Sequence, residues 1–294
     1  MSGSIRHGQA RLAGIKPAAR FSSGAHMTDL TLLMNRAAIA AADVILEVYR
    51  EDFARFEKAD GSPVTEADQR AEAVILNHLA ETGLPVLAEE SAAEGRIPEL
   101  GERYFIVDPL DGTKEFLKRN GEFTVNIAYC EGTRPKAGVV LAPATGEIFW
   151  GDETGAWRGE VAHGVIINSR RIEVAKEGPM LIVASRSHRS GPLEELCRLL
   201  GVEGDVSVGS SLKFCLLADG KARLYPRFTP TCEWDTAAGQ AVLEAAGGVV
   251  LGLDGEPFSY GHKDRKFLNP FFVAAATVEL GRKAAAEMLR LTGA

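Results

Sequence analysis

The sequence of 294 residues has only four cysteines (Cys130, Cys197, Cys215, Cys232), none in a C-x-x-C pair and none with histidine at metal-ligand spacing. Zinc sites and disulfide frameworks therefore lack their parts, and a reducing cytoplasm is the expected compartment. Long apolar runs are also missing: no stretch approaches the ~20 residues of a membrane-spanning helix. Any membrane association would be peripheral, on the inner face of the cell membrane. Positive charge is short, with 33 basic against 40 acidic residues and a net charge of −7, which disfavours nucleic acid or an anionic surface as partner. There is no Gly-x-Ser-x-Gly elbow and no Gly-Lys-Ser/Thr phosphate loop, so covalent acyl chemistry and nucleoside-triphosphate chemistry have no support.

What is present is a chain that is 46% hydrophobic, enough to bury a real core. The first 26 residues differ from the rest: Arg6, Arg11, Lys16 and Arg20 face no acid, so the negative charge belongs entirely to residues 27–294. This stretch is expected to stand outside the fold as an extension or tag. Its Arg and Ser content suggests a transit peptide, but Gly24-Ala25-His26-Met27 reads equally as a cloning scar before an initiator Met27.

Apolar residues at helical spacing predict a helix from Thr28 to Arg50, capped by Thr28 or Asp29, and a second from Glu66 that stops at Gly83, with a turn at Asp60–Pro63 between them. Short β-like runs come next, at Val86–Ala88, Tyr104–Val107, Thr124–Tyr129, Ala137–Ala142 and Glu147–Trp150, which read as an antiparallel meander. After about Asn168 strands and helices alternate: Met180–Ala184, Leu193–Leu200, Ser211–Ala218, Ala222–Tyr225, Asp235–Ala246, Val249–Leu251, Phe271–Ala275 and a last helix from Thr277. The expectation is an α+β half over residues 27–165 joined to an α/β half over 166–294, packed as one unit with a site between them.

The densest chemical signal is Phe105-Ile-Val-Asp108-Pro-Leu-Asp111-Gly-Thr113. An apolar strand runs into two carboxylates three residues apart, with the Leu110 carbonyl between them, and such an all-oxygen set suits Mg²⁺. The backbone N–H groups of Gly112 and Thr113 are placed to hold a phosphate. An acidic surface turn is the plain alternative for this segment alone. Two further segments weigh against it: Leu87-Ala-Glu89-Glu90-Ser91, with acids at the end of another apolar run, and Glu233-Trp-Asp235-Thr-Ala-Ala-Gly239, with acids at a helix start. An aspartyl-phosphate mechanism is excluded because Pro109 stands where its nucleophile would be, leaving a metal-activated water.

These segments, in this order, resemble the lithium-sensitive, magnesium-dependent phosphomonoesterases that include inositol monophosphatase and fructose-1,6-bisphosphatase, and the resemblance runs from about Met27 to the end. Lys114-Glu-Phe116, Gly209-Ser-Ser-Leu-Lys-Phe-Cys215 and Tyr225-Pro-Arg-Phe228 look like the 3′(2′),5′-bisphosphate nucleotidases of the CysQ type, whereas inositol monophosphatases usually have Thr-Asn-Phe after the Gly-Thr. The resemblance implies a layered α/β/α/β/α sandwich. It implies two or three Mg²⁺ ions held by Glu89, Asp108, the Leu110 carbonyl, Asp111 and Asp235, with Asp68 and Thr113 orienting the attacking water beside Glu89. It implies that Ser210, Lys213 and Arg227 hold the nucleotide and its 5′-phosphate, next to Gly112 and Thr113, and that His188 meets the adenine. The expected partner is a small bisphosphorylated nucleotide. The alternatives are an inositol monophosphatase or sugar bisphosphatase of the same fold, and a non-catalytic protein with structural Ca²⁺. Asp68 and Thr113 argue against the last, because a structural site needs no water-orienting hydroxyl.

Overall fold

The computed structural model describes residues 27–51, 55–57, 63–184 and 191–293. The N-terminal 26 residues, the Asp60–Ser62 part of the expected turn, and His188 lie outside them.

Five layers stack in order. The outer helices are α1 (Asp29–Arg50) and α2 (Glu66–Leu79), joined by the small antiparallel pair β1 (Arg55–Glu57) and β2 (Pro63–Thr65). The Thr28 side chain caps α1 by accepting from Thr31 N, and α2 opens with a capping box between Thr65 and Asp68. Both helices bury an alanine-rich stripe, Ala37, Ala38 and Ala41 on one and Ala67 and Ala71 on the other, which lets them pack closely on the sheet beneath.

That sheet has seven strands in sequential order: β3 (Val86–Ala88), β4 (Arg103–Asp111), β5 (Thr124–Glu131), β6 (Arg134–Ala142), β7 (Glu147–Asp152), β8 (Gly155–Ala162) and β9 (Val165–Ile172). From β4 onward the pairing is the expected antiparallel meander, but β3 runs parallel to β4. The crossover between them holds the short helix α3 (Glu89–Ala93). The sheet also continues through β8 and β9, beyond residue 165. These two strands carry Arg158, Glu160, Arg170 and Arg171 among few fully buried positions, so their apolar alternation is diluted.

β4 and β5 are nearly continuous apolar runs because both faces are covered. Phe105 and Val107 face the α1–α2 layer, whereas Tyr104 and Ile106 face a middle helical layer of α6 (Leu212–Ala218) and α7 (Ala237–Ala245). Beyond that layer lies a five-stranded mixed sheet in the order β11 (Gly204–Val206), β10 (Leu181–Val183), β12 (Leu224–Arg227), β16 (Phe272–Ala275) and β14 (Val249–Gly252). Its outer face is closed by α5 (Pro192–Leu200) and α8 (Val278–Thr292). A two-stranded piece, β13 (Thr231–Cys232) with β15 (Leu268–Asn269), sits beside the middle layer. The helix α4 (Thr113–Leu117) follows β4 directly. The architecture is the expected α/β/α/β/α sandwich. Among the described residues no helix is long and apolar enough to cross a membrane.

Candidate active site

Local backbone geometry brings the two carboxylates of β4 together. Residues three apart on a regular strand point to opposite faces. Here Asp108 pairs with Asn126 and Asp111 with Thr124, so three steps on β4 match two on β5. This bulge turns Asp111 onto the same face as Asp108. Pro109, which has no N–H for the ladder, sits inside it. The shared face is that of Tyr104 and Ile106, toward the middle layer, and Asp235 arrives there on the 3₁₀ turn Glu233–Asp235 that leads into α7. Asp108, Asp111 and Asp235 each place a carboxylate oxygen within 4.8 Å of the others.

Each of these acids is tied to the chain through one oxygen. Asp108 Oδ1 accepts from Leu110 N at 2.9 Å, and Asp235 Oδ2 accepts from Cys232 N at 2.8 Å. Asp111 Oδ2 accepts from Ser211 Oγ at 2.8 Å. Such ties fix the carboxylate orientations before any ligand arrives. The cluster is electrostatically costly without a cation. Burial, then the charges of Glu89, Asp111 and Asp235, push the Asp108 carboxyl well above the usual range. Burial, then Asp111 and Glu89, push Asp235 up to about 8.

Glu89 opens α3 and interacts directly with Asp108, although it stands outside the compact group of three. Its placement depends on Glu72 of α2, a residue that belongs to none of the acidic motifs. The buried Glu72 carboxylate accepts from Glu90 N at 2.7 Å, Ser91 N at 2.9 Å and Ser91 Oγ at 2.5 Å, and so caps α3. A signal was available: an acid on the apolar stripe of an amphipathic helix needs a buried partner. Asp68 lies one turn earlier on that stripe. Its Oδ2 completes the α2 capping box, and its Oδ1 accepts from Thr113 Oγ1 at 3.2 Å. The same hydroxyl is 3.4 Å from the Leu110 carbonyl. Thus Thr113 Oγ1 brings Asp68 and the Leu110 carbonyl together beside the acids of β4.

From this centre a cleft of about 700 Å³ runs between the two halves. Asp111, Gly112, Ser210, Lys213, Arg227 and Asp235 all line it. Lys213 is not a free surface cation. It is buried, with Nζ 2.9 Å from the Ser210 carbonyl and 6.0 Å from the Tyr225 ring centroid. An ammonium group has three hydrogens, so two remain for a ligand. Arg227 Nε donates to the Thr229 carbonyl at 3.2 Å. Ser210 adopts a left-handed conformation, φ 48°, in the loop that turns the chain into the cleft. That loop approaches the other half so closely that a Cβ on Gly209 would lie 2.7 Å from the Glu122 carbonyl oxygen. Glu233, fully buried at the start of the turn that carries Asp235, accepts from Gly261 N at 2.7 Å and His262 N at 2.9 Å.

The inositol monophosphatase family model matches residues 26–288. The chain belongs to this family. Within it, a protein of Escherichia coli called 3′(2′),5′-bisphosphate nucleotidase CysQ is 47% identical over 236 residues, covering 79% of this chain and 94% of that one. The crystal structure of CysQ from Bacteroides thetaiotaomicron superposes with a TM-score of 0.72 at 40% identity, over 84% of this chain and 97% of that one. The inositol monophosphatase of Anabaena gives 0.67 at 26% identity, over 89% and 96%. The layered sandwich is therefore that of the inositol monophosphatase family.

Proposed function

We propose that the protein is a Mg²⁺-dependent phosphomonoesterase that removes the 3′-phosphate of adenosine 3′,5′-bisphosphate, giving AMP and phosphate, and that it also acts on the corresponding 5′-phosphosulfate. The likeness to proteins called 3′(2′),5′-bisphosphate nucleotidase supports the substrate class. The observation that carries the reading is the cleft itself, which is lined both by Asp111 and Asp235 of the carboxylate cluster and by Lys213 and Arg227. A ligand with two phosphates meets cation-binding carboxylates and protein cations in one cleft.

The donor set fits a hard dication: three carboxylates within 4.8 Å, a fourth acid beside them, a backbone carbonyl, and no sulfur or imidazole. Glu89, Asp108, the Leu110 carbonyl, Asp111 and Asp235 would hold two or three Mg²⁺ ions. Bound there, Mg²⁺ supplies a nucleophilic water at neutral pH and neutralises charge on the phosphoryl and leaving oxygens. Asp68 holds the Thr113 hydroxyl so that its oxygen orients this water, with Glu89 alongside. The N–H groups of Gly112 and Thr113 face the phosphate undergoing hydrolysis. Ser210, Lys213 and Arg227 bind the remote 5′-phosphate, which the acid cluster would repel. The deciding experiment is phosphate release from adenosine 3′,5′-bisphosphate, inositol 1-phosphate and fructose 1,6-bisphosphate with Mg²⁺. A preference for either of the last two overturns the proposal in favour of a sugar or inositol phosphatase.

A further inference from the structure

Asp111 and Asp235 come from segments more than a hundred residues apart and from different layers, and one side chain joins them directly. Ser211 is 1% exposed. Its Oγ lies 2.8 Å from Asp111 Oδ2 and 2.7 Å from the Asp235 carbonyl oxygen, and it accepts from Asn126 Nδ2 at 2.8 Å. Asn126 is fully buried on β5, on the same face as Asp108, and its Nδ2 also approaches Asp111 Oδ2 at 3.4 Å. The hydroxyl thus stands at a junction of β4, β5 and the turn carrying Asp235, just ahead of α6.

We infer that Ser211 is a positioning residue for the metal platform: it fixes the separation between the acids of β4 and Asp235 by bridging Asp111 to the Asp235 backbone. The physical need is plain. Asp111 and Asp235 repel one another until a cation is bound, and a Cβ-length side chain with one hydroxyl is the shortest link that can hold a carboxylate and a carbonyl together. Asn126 donates to the hydroxyl oxygen, so the single Ser211 hydrogen is left for Asp111 Oδ2 and the Asp235 carbonyl, which share it. Without the hydroxyl, the turn and the bulge are free to separate, and a cation must draw them together at the expense of its own binding. Mg²⁺ is the sensitive case, since it demands near-octahedral geometry. This inference rests on the metal reading of the site.

The test is calorimetric titration of the whole purified protein with Mg²⁺ alone, without substrate. Ser211→Ala is expected to weaken Mg²⁺ binding about tenfold or more, to raise the Mg²⁺ needed for half-maximal activity in parallel, and to leave kcat at saturating Mg²⁺ near that of wild type. Ser211→Thr, which restores a hydroxyl, should recover most of the affinity. Asn126→Ala should weaken Mg²⁺ binding in the same direction but less, and the double variant should lose less than the sum of the two single losses, because Asn126 acts mainly through the Ser211 hydroxyl and touches Asp111 itself only at 3.4 Å. The Asn126 variant carries the test if Ser211→Ala does not fold. Wild-type affinity in the folded Ser211→Ala protein, or additive losses in the double variant, overturns the positioning role. Failure of the wild type itself to bind Mg²⁺ overturns the metal reading instead, so the two outcomes are distinct.

Discussion

Gly138 of β6 and Gly151 of β7 sit opposite one another in the sheet ladder and form the floor on which α7 rests. A Cβ on Gly151 would lie 2.8 Å from both Ala245 Cβ and Val242 Cα, and one on Gly138 would lie 2.8 Å from Ala241 Cβ and collide with the Ala238 carbonyl. Because α7 begins two residues after Asp235, this close approach sets how far the third acid stands from β4.

Gly151→Ala should therefore act on both stability and the site. Overpacking of this kind costs about 1–3 kcal/mol, which should appear as a lower midpoint in urea unfolding. Lifting α7 should also weaken Mg²⁺ binding in the protein that remains folded. A variant with wild-type stability would contradict the packing described for this helix.

Asp152 couples the sheet to the first helix. Its carboxylate accepts from Thr28 N at 3.0 Å, Thr31 Oγ1 at 2.7 Å, Thr154 N at 2.8 Å and Thr154 Oγ1 at 2.6 Å. Burial alone would raise its pKa, but these bonds outweigh it and hold the group below its ordinary value. A depressed folded-state pKa contributes stability that is present above the unfolded value, about 3.9, and is lost as pH falls through the folded one. Asp152→Asn should lower stability at pH 7 by about 1 kcal/mol, and the gap to wild type should close below pH about 4. A gap that stays constant from pH 7 to pH 3 would contradict this role.

Asp111→Asn should nearly abolish turnover while leaving the fold intact. It removes one charge from a group of three acids within 4.8 Å, so its thermal stability without metal should equal or exceed wild type. Differential scanning calorimetry in EDTA checks the stability, and phosphate release checks the turnover. Unfolding at ambient temperature, or a near-normal rate, would make Asp111 a structural turn residue.

Activity should require Mg²⁺, vanish in EDTA, and be inhibited by Li⁺ and Ca²⁺. Calcium is larger and accepts looser oxygen geometry, so it would enter the same cluster and misplace the attacking water. Full turnover in EDTA would sink the metal mechanism.

The sequence pattern revealed most of what local physics controls. The span of α1 follows from apolar spacing plus a capping threonine, and Asp108, Asp111 and Asp235 stand in motifs whose composition needs no third dimension. Other features depend on what lies across the molecule. That β3 runs parallel to β4 cannot be read from three residues, Val86–Ala88, because parallel and antiparallel strands share one short apolar pattern. β8 and β9 are half exposed, so charged residues mask their period. Ser211 reads only as the first residue of the Ser211–Ala218 element, and only the meeting of β4, β5 and the turn carrying Asp235 around it gives its hydroxyl three partners. Lys213 resembles a surface cation until the Tyr225 ring covers it.

A bisphosphate nucleotidase should differ from its relatives in its need for the remote phosphate, and the burial of Lys213 decides which variant tests this. Lys213→Ala would also strip the donor from the Ser210 carbonyl, disturbing the loop as well as any ligand contact. Arg227 is only half-buried, and the bonds it makes, to the Thr229 carbonyl and the Tyr225 hydroxyl, are long at 3.2 and 3.5 Å. Arg227→Ala therefore removes a ligand contact with less structural loss. A charge-assisted bond to the 5′-phosphate is worth about 1.5–3 kcal/mol, so kcat/KM for adenosine 3′,5′-bisphosphate should fall roughly tenfold to over a hundredfold. The loss should be much smaller for 3′-AMP, which has no 5′-phosphate. Equal losses on both substrates would place Arg227 at the scissile phosphate or in the fold. The assignment of Arg227 to the 5′-phosphate would then fail, while the reading of the acid cluster as a cation site would stand, because the hydrogen bonds that orient Asp108, Asp111 and Asp235 run to Leu110, Ser211 and Cys232 and not to that side chain.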